Sequence, residues 1–300
     1  RLFTTLFSSI STFKDKLKVL SLIAQLLNYD IQNDNSPDMQ TIDFLKKKNF
    51  SDEFIELFFT PFFSGIFLEK DLKTSSKFFK YVFSNFSKGL ACLPSEGMQK
   101  IPDLIFKNIS SDRLLLNQAL EKIENNSLLI FNNGKTINSK NIVLTGGSHK
   151  KVGLNEVSYN SVKNIYFESD IKIENGKYIH LFPKDSIINN IAALNQVSRS
   201  YSKSSSLLSI SVIAHDLKAK LDINQLRKKL ANYFGGNDSN YELVKSFEIK
   251  NATIKQNTNF FDSNTLSPTE GLIIAGDHSV YGSIEGAVLS GINASKIILN

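Results

Sequence analysis

Gly271 to Ala275 is a short apolar run with the marks of a strand, and it ends at Gly276 and Asp277. After a loop through Gly282, a helix is predicted from Ser283 to about Leu299, with small residues at Gly286, Ala287, Ser290, Gly291 and Ala294. The start of such a helix, near Ser283 and Ile284, carries unpaired backbone N–H groups and the positive end of the helix dipole. Both suit a pyrophosphate or an anionic ring. Asp277, at the strand end, is placed to accept hydrogen bonds from sugar-like hydroxyls. The competing reading is that Asp277 caps a turn and the small residues serve packing, and the residues alone leave both open.

Other chemistries find little support. His149, His180, His215 and His278 are scattered without metal-ligand spacing, although His278 adjoins Asp277 and is a candidate proton carrier. A single cysteine, Cys92, makes neither an internal disulfide nor a cysteine metal cluster. No serine stands in a nucleophile-elbow context and no P-loop is present. The formal charge of +6 comes almost wholly from lysine, with arginine only at positions 1, 113, 199 and 227. Phosphate and base-edge contacts favour arginine forks, and these lysines are spread among acids, so nucleic acid is not an expected partner.

The elements that must position these residues are legible in outline. Residues 1–90 read as helices, with apolar positions such as Leu17, Leu20, Ile23, Leu26 and Leu27 at helical spacing. The polar stretch Asn28 to Asp38 interrupts them; a helix restarts near Thr41, and another follows Ser51 as N-cap. Eleven phenylalanines between Phe50 and Phe86 form either an aromatic helical core or the wall of an apolar tunnel. The period then changes. Short strands are predicted at Arg113 to Leu116 and Leu128 to Phe131, with a tight turn at Asn132 to Gly134, and a buried strand at Asn141 to Leu144 ends at Gly146 and Gly147. Further strands are expected at Lys163 to Glu168, Tyr178 to Phe182, Leu207 to Ala214 and Tyr241 to Ile249, with a helix from Asp222 to Tyr233 and a hairpin turn at Asn175 and Gly176. A charged fraction of 21% with 41% hydrophobic residues is that of a globular chain, and neither a membrane span nor a signal peptide is visible, so a cytoplasmic setting is expected.

Three linked stretches, in order, resemble the flavin-dependent amine oxidase and phytoene desaturase superfamily. The run GLIIAGDHSVYGSIEGAVLSGINASKIIL looks like that family's last FAD-binding motif. FFTPFFSGIFLEKDLKTSSKFF followed by LPSEGMQKIPDLI resembles the approach to its Pro-x-Gly-Gly-Met segment, with Glu96 where the first glycine is usual. LNQALEKIENNSLLIFNNGKTINSKNIVLTGG resembles the ribbon beside the adenine end of FAD. The likeness runs from about Thr41 to Leu299. It implies an α/β fold in which an incomplete FAD/NAD(P)-binding, Rossmann-like domain (91–150 and 263–300) is interleaved with an α+β substrate domain, helical over 1–90 and sheet-rich over 151–262.

The resemblance implies FAD as cofactor. It would be bound by Gly276, Asp277, Ser283, Ile284, Gly286 and Ala287, with Leu120 at the apolar position whose backbone pairs with adenine. Gly97 and Met98 match a turn that starts a helix along the cofactor domain, and Tyr281 is either near the flavin or a surface loop residue. The implied activity is removal of two electrons from a C–N or C–C bond of an apolar small molecule, with peripheral membrane contact. A non-redox mutase-like flavoprotein and a prenyl-escort-like binding protein are the alternatives. The family's opening G-x-G-x-x-G unit does not occur in these residues, so the expectation is that the first FAD-binding unit lies upstream of Arg1, the alternative being that it has been lost, and that these residues by themselves bind FAD poorly and are inactive.

Overall fold

The computed structural model describes residues 12–148, 157–213, 221–262 and 270–299. His149 and His215 lie outside the described residues. The helices are α1 (Phe13–Gln25), α2 (Thr41–Lys47), α3 (Thr60–Phe67), α4 (Ser76–Lys88), α5 (Lys100–Phe106), α6 (Leu194–Val197), α7 (Ile223–Phe234) and α8 (Ile284–Leu299). The strands in chain order are β1 (Leu120–Glu124), β2 (Leu128–Phe131), β3 (Thr136–Asn138), β4 (Ile142–Leu144), β5 (Tyr159–Ser169), β6 (His180–Leu181), β7 (Asn190–Ala193), β8 (Ser206–Val212), β9 (Tyr241–Ile254) and β10 (Leu272–Ile274). They fall into two compact units. One takes the chain up to Asp103 together with Tyr159–Thr253, and the other takes Leu104–Ser158 together with the chain from Ile254 on. Among the described residues, no helix is long and apolar enough to cross a membrane.

The helical part of the first unit is organised around aromatic rings. Ser51 accepts a hydrogen bond from the Phe54 N–H and so caps a helical stretch that passes through a π-turn at Ile55–Phe59 into α3. Phe54, Phe59, Phe63 and Phe67 are buried on this stretch, and Phe78, Phe79 and Phe83 on α4. Ring centroids of Phe63 and Phe79 lie 4.6 Å apart, and those of Phe59 and Phe79 6.0 Å apart, in edge and tilted arrangements that favour aromatic pairs. Most of these phenylalanines therefore meet one another, which makes them core and not tunnel wall. Asp15 ties the start of α1 to this stretch: buried, it accepts from the hydroxyls of Thr12 (2.6 Å) and Ser51 (2.7 Å) and from the Ser51 N–H (3.0 Å).

The rest of the first unit is a five-stranded sheet in the order β6-β7-β8-β5-β9. Antiparallel pairing of β5 with β8 sets Ile165 opposite Ile210 and Phe167 opposite Leu208. Because side chains alternate along a strand, these positions point to one face, where they join Ile191, Leu226, Leu230 and Tyr241 in a single apolar cluster. The helix α7 covers that face, its start capped by Asp222, which accepts from the N–H groups of Asn224 and Gln225. The predicted hairpin at Asn175 and Gly176 is a turn, with Asn175 at a φ of 53°, but the strands it separates do not pair: β6 pairs with β7 and β5 with β8.

In the second unit, β1, β2 and β3 form an antiparallel meander, and β4 pairs in parallel with β10. Ile142, Leu144, Leu272 and Ile274 make a small core between them, with Leu120, Ile123 and Leu129 of the meander packed on it. The strand predicted at Arg113 to Leu116 is absent. Ser111–Arg113 is a single 3-10 turn, and Leu114, Leu115 and Leu116 are exposed; an apolar run becomes a strand only where another strand accepts its hydrogen bonds.

Candidate functional site

The strongest site in the sequence lies where β10 turns into α8. Leu272 to Ala275 are buried, and the Ala275 N–H donates to the Leu144 carbonyl at 2.9 Å, which extends the pairing of β10 with β4 to the last residue before the turn. Gly276 then takes a φ of +143°, a conformation side-chain-bearing residues rarely adopt. Its N–H donates to the Ser290 hydroxyl at 2.8 Å, and that hydroxyl donates to the Ala287 carbonyl at 2.6 Å. Ser290 thereby links the strand end to the second turn of α8.

The helix lies close because one face is small. Gly286, Ser290 and Ala294 are buried at i, i+4 and i+8, with Ala294 against Ile273 and Ala275. A Cβ on Gly286 would sit 2.0 Å from the Tyr281 carbonyl oxygen, so only glycine permits the contact. Ala287 and Gly291 are exposed, and nothing lies within 4 Å of a Cβ built on Gly291. The helix start is capped from within, since the Ser283 hydroxyl accepts from the Gly286 N–H at 2.9 Å. Ile284, in the first turn, is 54% exposed. Tyr281 is buried, which removes the surface-loop reading for it.

Asp277 opens a 3-10 turn, Asp277–Ser279. Burial holds its carboxyl above the usual carboxylate range; the charge of His278 and the N–H groups of His278 and Asp277 pull the other way. The side chain is still 38% exposed. An ionised carboxylate is acceptor-only and has capacity for several donors. An anionic acceptor of this kind beside a helix start fits the hydroxyls of a ribityl chain, and these are the residues of the second unit that could hold FAD.

Six of the seven predicted site residues, Gly276, Asp277, Ser283, Ile284, Gly286 and Ala287, thus belong to one strand–turn–helix segment. Leu120 opens β1, at a register irregularity between Leu120 and Lys122, and packs on the small core that contains Ile274. Gly97, at a φ of +88°, and Met98 stand in the turn that leads into α5.

Two features of the first unit are not evident in the sequence. Lys163 is buried on β5, with its ammonium 3.1 Å from Glu248 of β9; an ammonium at an inward position is costly without such a partner. An inward-pointing charge at a strand position was the signal available. A cavity of about 330 Å³ is lined by Ile66, Tyr81, Val82, Asn85, Phe86 and Leu90, among others, on the exposed side of the aromatic helices. Among the described residues no cluster of histidine, cysteine and acids could hold a metal ion.

No curated protein matches the chain in sequence. Its fold is similar to that of an oxidoreductase from Methanosarcina mazei, at a TM-score of 0.72 and 18% identity over 97% of this chain and 75% of that one. Putrescine oxidase, in a structure bound to putrescine, is similar at a TM-score of 0.66 and 12% identity over 98% of this chain and 77% of that one. A UDP-galactopyranose mutase is similar at 0.65 and 12%, over 96% and 73%. At these identities the likeness is one of fold. The family model of flavin-containing amine oxidoreductases, whose cofactor is FAD, matches residues 2–299, and the chain therefore belongs to that family of flavin oxidoreductases.

Proposed function

We propose that this protein takes part in removing two electrons from a C–N or C–C bond of a small, largely apolar substrate, with FAD held at the turn between β10 and α8. The observation that carries the reading is the Asp277 carboxylate, presented at a glycine turn beside a tightly packed helix start. When bound, FAD supplies the two-electron acceptor. Asp277 would orient the cofactor through its hydroxyls, and the α8 start, with Ser283, Ile284 and Gly286, would favour negative charge on a group placed against it. Ala287, one turn in, would leave room there for the cofactor. Leu120 would contribute through its backbone at the start of the meander.

The Rossmann-like description of the second unit is supported by the parallel pair β4–β10, whose last strand leads through the Gly276–Ser283 turn and loop into α8, the strand-to-helix order of a dinucleotide-binding half. The apolar substrate is supported by the cavity beside Tyr81 and Phe86, since aromatic and aliphatic walls with few polar groups select apolar ligands. The test is anaerobic mixing of the FAD-loaded protein with primary amines, secondary amines and apolar alkenes. Bleaching of the flavin absorbance by a member of one class is the expected result. Flavin that binds but is never reduced would favour a mutase-like role, and failure to take up flavin would favour an escort-like one.

A further inference from the structure

His278 is the residue of the turn that the reading above leaves without a role. It is the middle residue of the 3-10 turn Asp277–Ser279 and its side chain is 7% exposed. Its ring lies on the bare α-carbon of Gly276: a Cβ there would come within 2.6 Å of both Cε1 and Nδ1. Gly276 is thus required twice, by its φ of +143° and by the imidazole stacked on it. The same ring places Nδ1 3.9 Å from Oδ1 of Asp277. The packing of one side chain therefore couples the backbone of the turn to the carboxylate it presents.

We propose that His278 is a positioning residue for Asp277: seated on Gly276, its imidazole fixes the turn and, when protonated, supplies the positive charge that keeps the carboxylate ionised for hydroxyl donors. This deepens the assignment of Asp277 as a cofactor residue and rests on it. Burial raises the Asp277 pKa, and the charge of a protonated His278 opposes that rise. Of the other ionisable groups on elements packed against the turn, Glu285 is exposed in the first turn of α8 and Lys296 stands in its last turn. Glu270 and Lys140 belong to the opposite ends of β10 and β4. A helix rises about 1.5 Å per residue, so Lys296 is far along its axis from the turn. When protonated, the His278 ring places a positive charge 3.9 Å from the Asp277 carboxylate. The carboxylate accepts a hydroxyl hydrogen bond more strongly than the neutral acid, because a charged acceptor about doubles the bond's strength.

The consequence has a definite sign. A nearby positive charge lowers a carboxyl pKa, so its removal must raise the Asp277 pKa and move the acid limb of FAD affinity to higher pH. A purely packing role would lower stability and leave that midpoint in place.

The experiment uses the full chain in two measurements. The carboxyl carbon of Asp277 is titrated by NMR in the protein without flavin, and FAD affinity is measured by titration across the same pH range, for wild type, His278→Gln and Asp277→Asn. In His278→Gln the Asp277 midpoint should rise by at least about half a unit, and FAD affinity at a fixed pH on the acid limb should fall roughly threefold or more, on the scale of one such partner charge. An unshifted Asp277 midpoint in His278→Gln overturns the proposal. If His278→Gln does not fold, the wild-type titration decides: Asp277 must show a second inflection at the pH where the His278 ring titrates, as coupled groups do, and a single inflection overturns it. Asp277→Asn separates the two layers. Unchanged FAD affinity in that variant would sink the cofactor role of Asp277, while the carboxyl titration would still report on the coupling to His278.

Discussion

Burial makes ionisation of Asp277 less favourable than in water, and a protonated His278 offsets part of that cost. Burial raises its pKa, so its ionised form weakens the folded state at pH values above the folded-state pKa, and the contribution is most favourable when it is protonated. Asp277→Asn keeps the shape and removes that cost. The flavin-free protein should be as stable as wild type or more so at neutral pH, while FAD affinity falls by roughly one to two powers of ten, as expected for a lost charge-assisted hydrogen bond of about 1.5 to 3 kcal/mol. Paired thermal melts and FAD titrations check both. A lowered melting temperature with unchanged affinity would mean that the carboxylate only braces its turn. Two glycines of α8 make a second contrast. Gly286→Ala forces a Cβ to within 2.0 Å of the Tyr281 carbonyl and should destabilise by about 1 to 3 kcal/mol. Gly291→Ala meets open space on a helix and should stabilise by about 0.5 to 1 kcal/mol. Equal melting temperatures for the two variants would refute the close approach of α8.

At the scale of elements, Asp15 and Asp185 each join two segments of the first unit. Burial opposes ionisation of Asp15, but donors from Thr12, Ser51 and Lys18 bring its pKa down to about 2. Burial likewise opposes ionisation of Asp185. Lys229 at 2.7 Å, Tyr233 at 2.5 Å and the N–H groups of Ile188 and Ile187 bring it to about 2, and they tie α7 to the turn before β7. Tyr233 is correspondingly pushed up to about 12 by burial and by Asp185. For both acids the folded-state value lies below the ordinary 3.8, so the stabilisation is complete above pH about 4 and is lost as pH falls toward 2. Each is worth about 2 kcal/mol on that linkage. Stability measured by urea at pH 6, 4 and 2.5 should decline over the lower interval. In the Asp15→Asn, Asp185→Asn double variant the decline should be flatter and the stability at pH 6 lower; an unaltered pH dependence would show that neither carboxylate is paired in solution.

At the scale of the whole molecule, each unit has its own apolar cluster: the sheet core about Ile165 and Ile210 with the aromatic helices in one, and the small core about Ile142 and Leu272 in the other. The second is far smaller, and hydrophobic stabilisation follows the apolar area removed from water. Thermal unfolding should therefore depart from two-state behaviour, with a calorimetric enthalpy larger than the van't Hoff value. FAD should raise the lower transition by mass action if it binds at the β10–α8 turn. Coincident transitions followed by far-UV circular dichroism and by hydrogen exchange at Leu272–Ile274 would count against separate units.

The sequence by itself determined the local features. The β10–turn–α8 order, the Asn132 to Gly134 turn, the Ser51 cap, the helix starting at Asp222 and the strands β5 and β8 all follow from residues a few positions apart. Their backbone preferences are set by near neighbours. What the tertiary structure decided depends on partners distant in the chain. Leu114 to Leu116 have strand-forming side chains but no strand beside them, and they stay exposed. β7 is only four residues long, too short to stand out, yet it pairs along β8 and supplies Ile191 to the core. The helical spacing of the phenylalanines says that the rings share a face; only the packing of α4 against α3 says that they fill it with one another. The same holds at the candidate site. Gly276 and Asp277 can be read as a strand end with an acceptor, but the seating of the His278 ring on Gly276 and the burial that raises the Asp277 pKa are set by how α8 and the strand pair close around the turn. Hydrogen-bond preference is local, whereas burial and charge proximity are not.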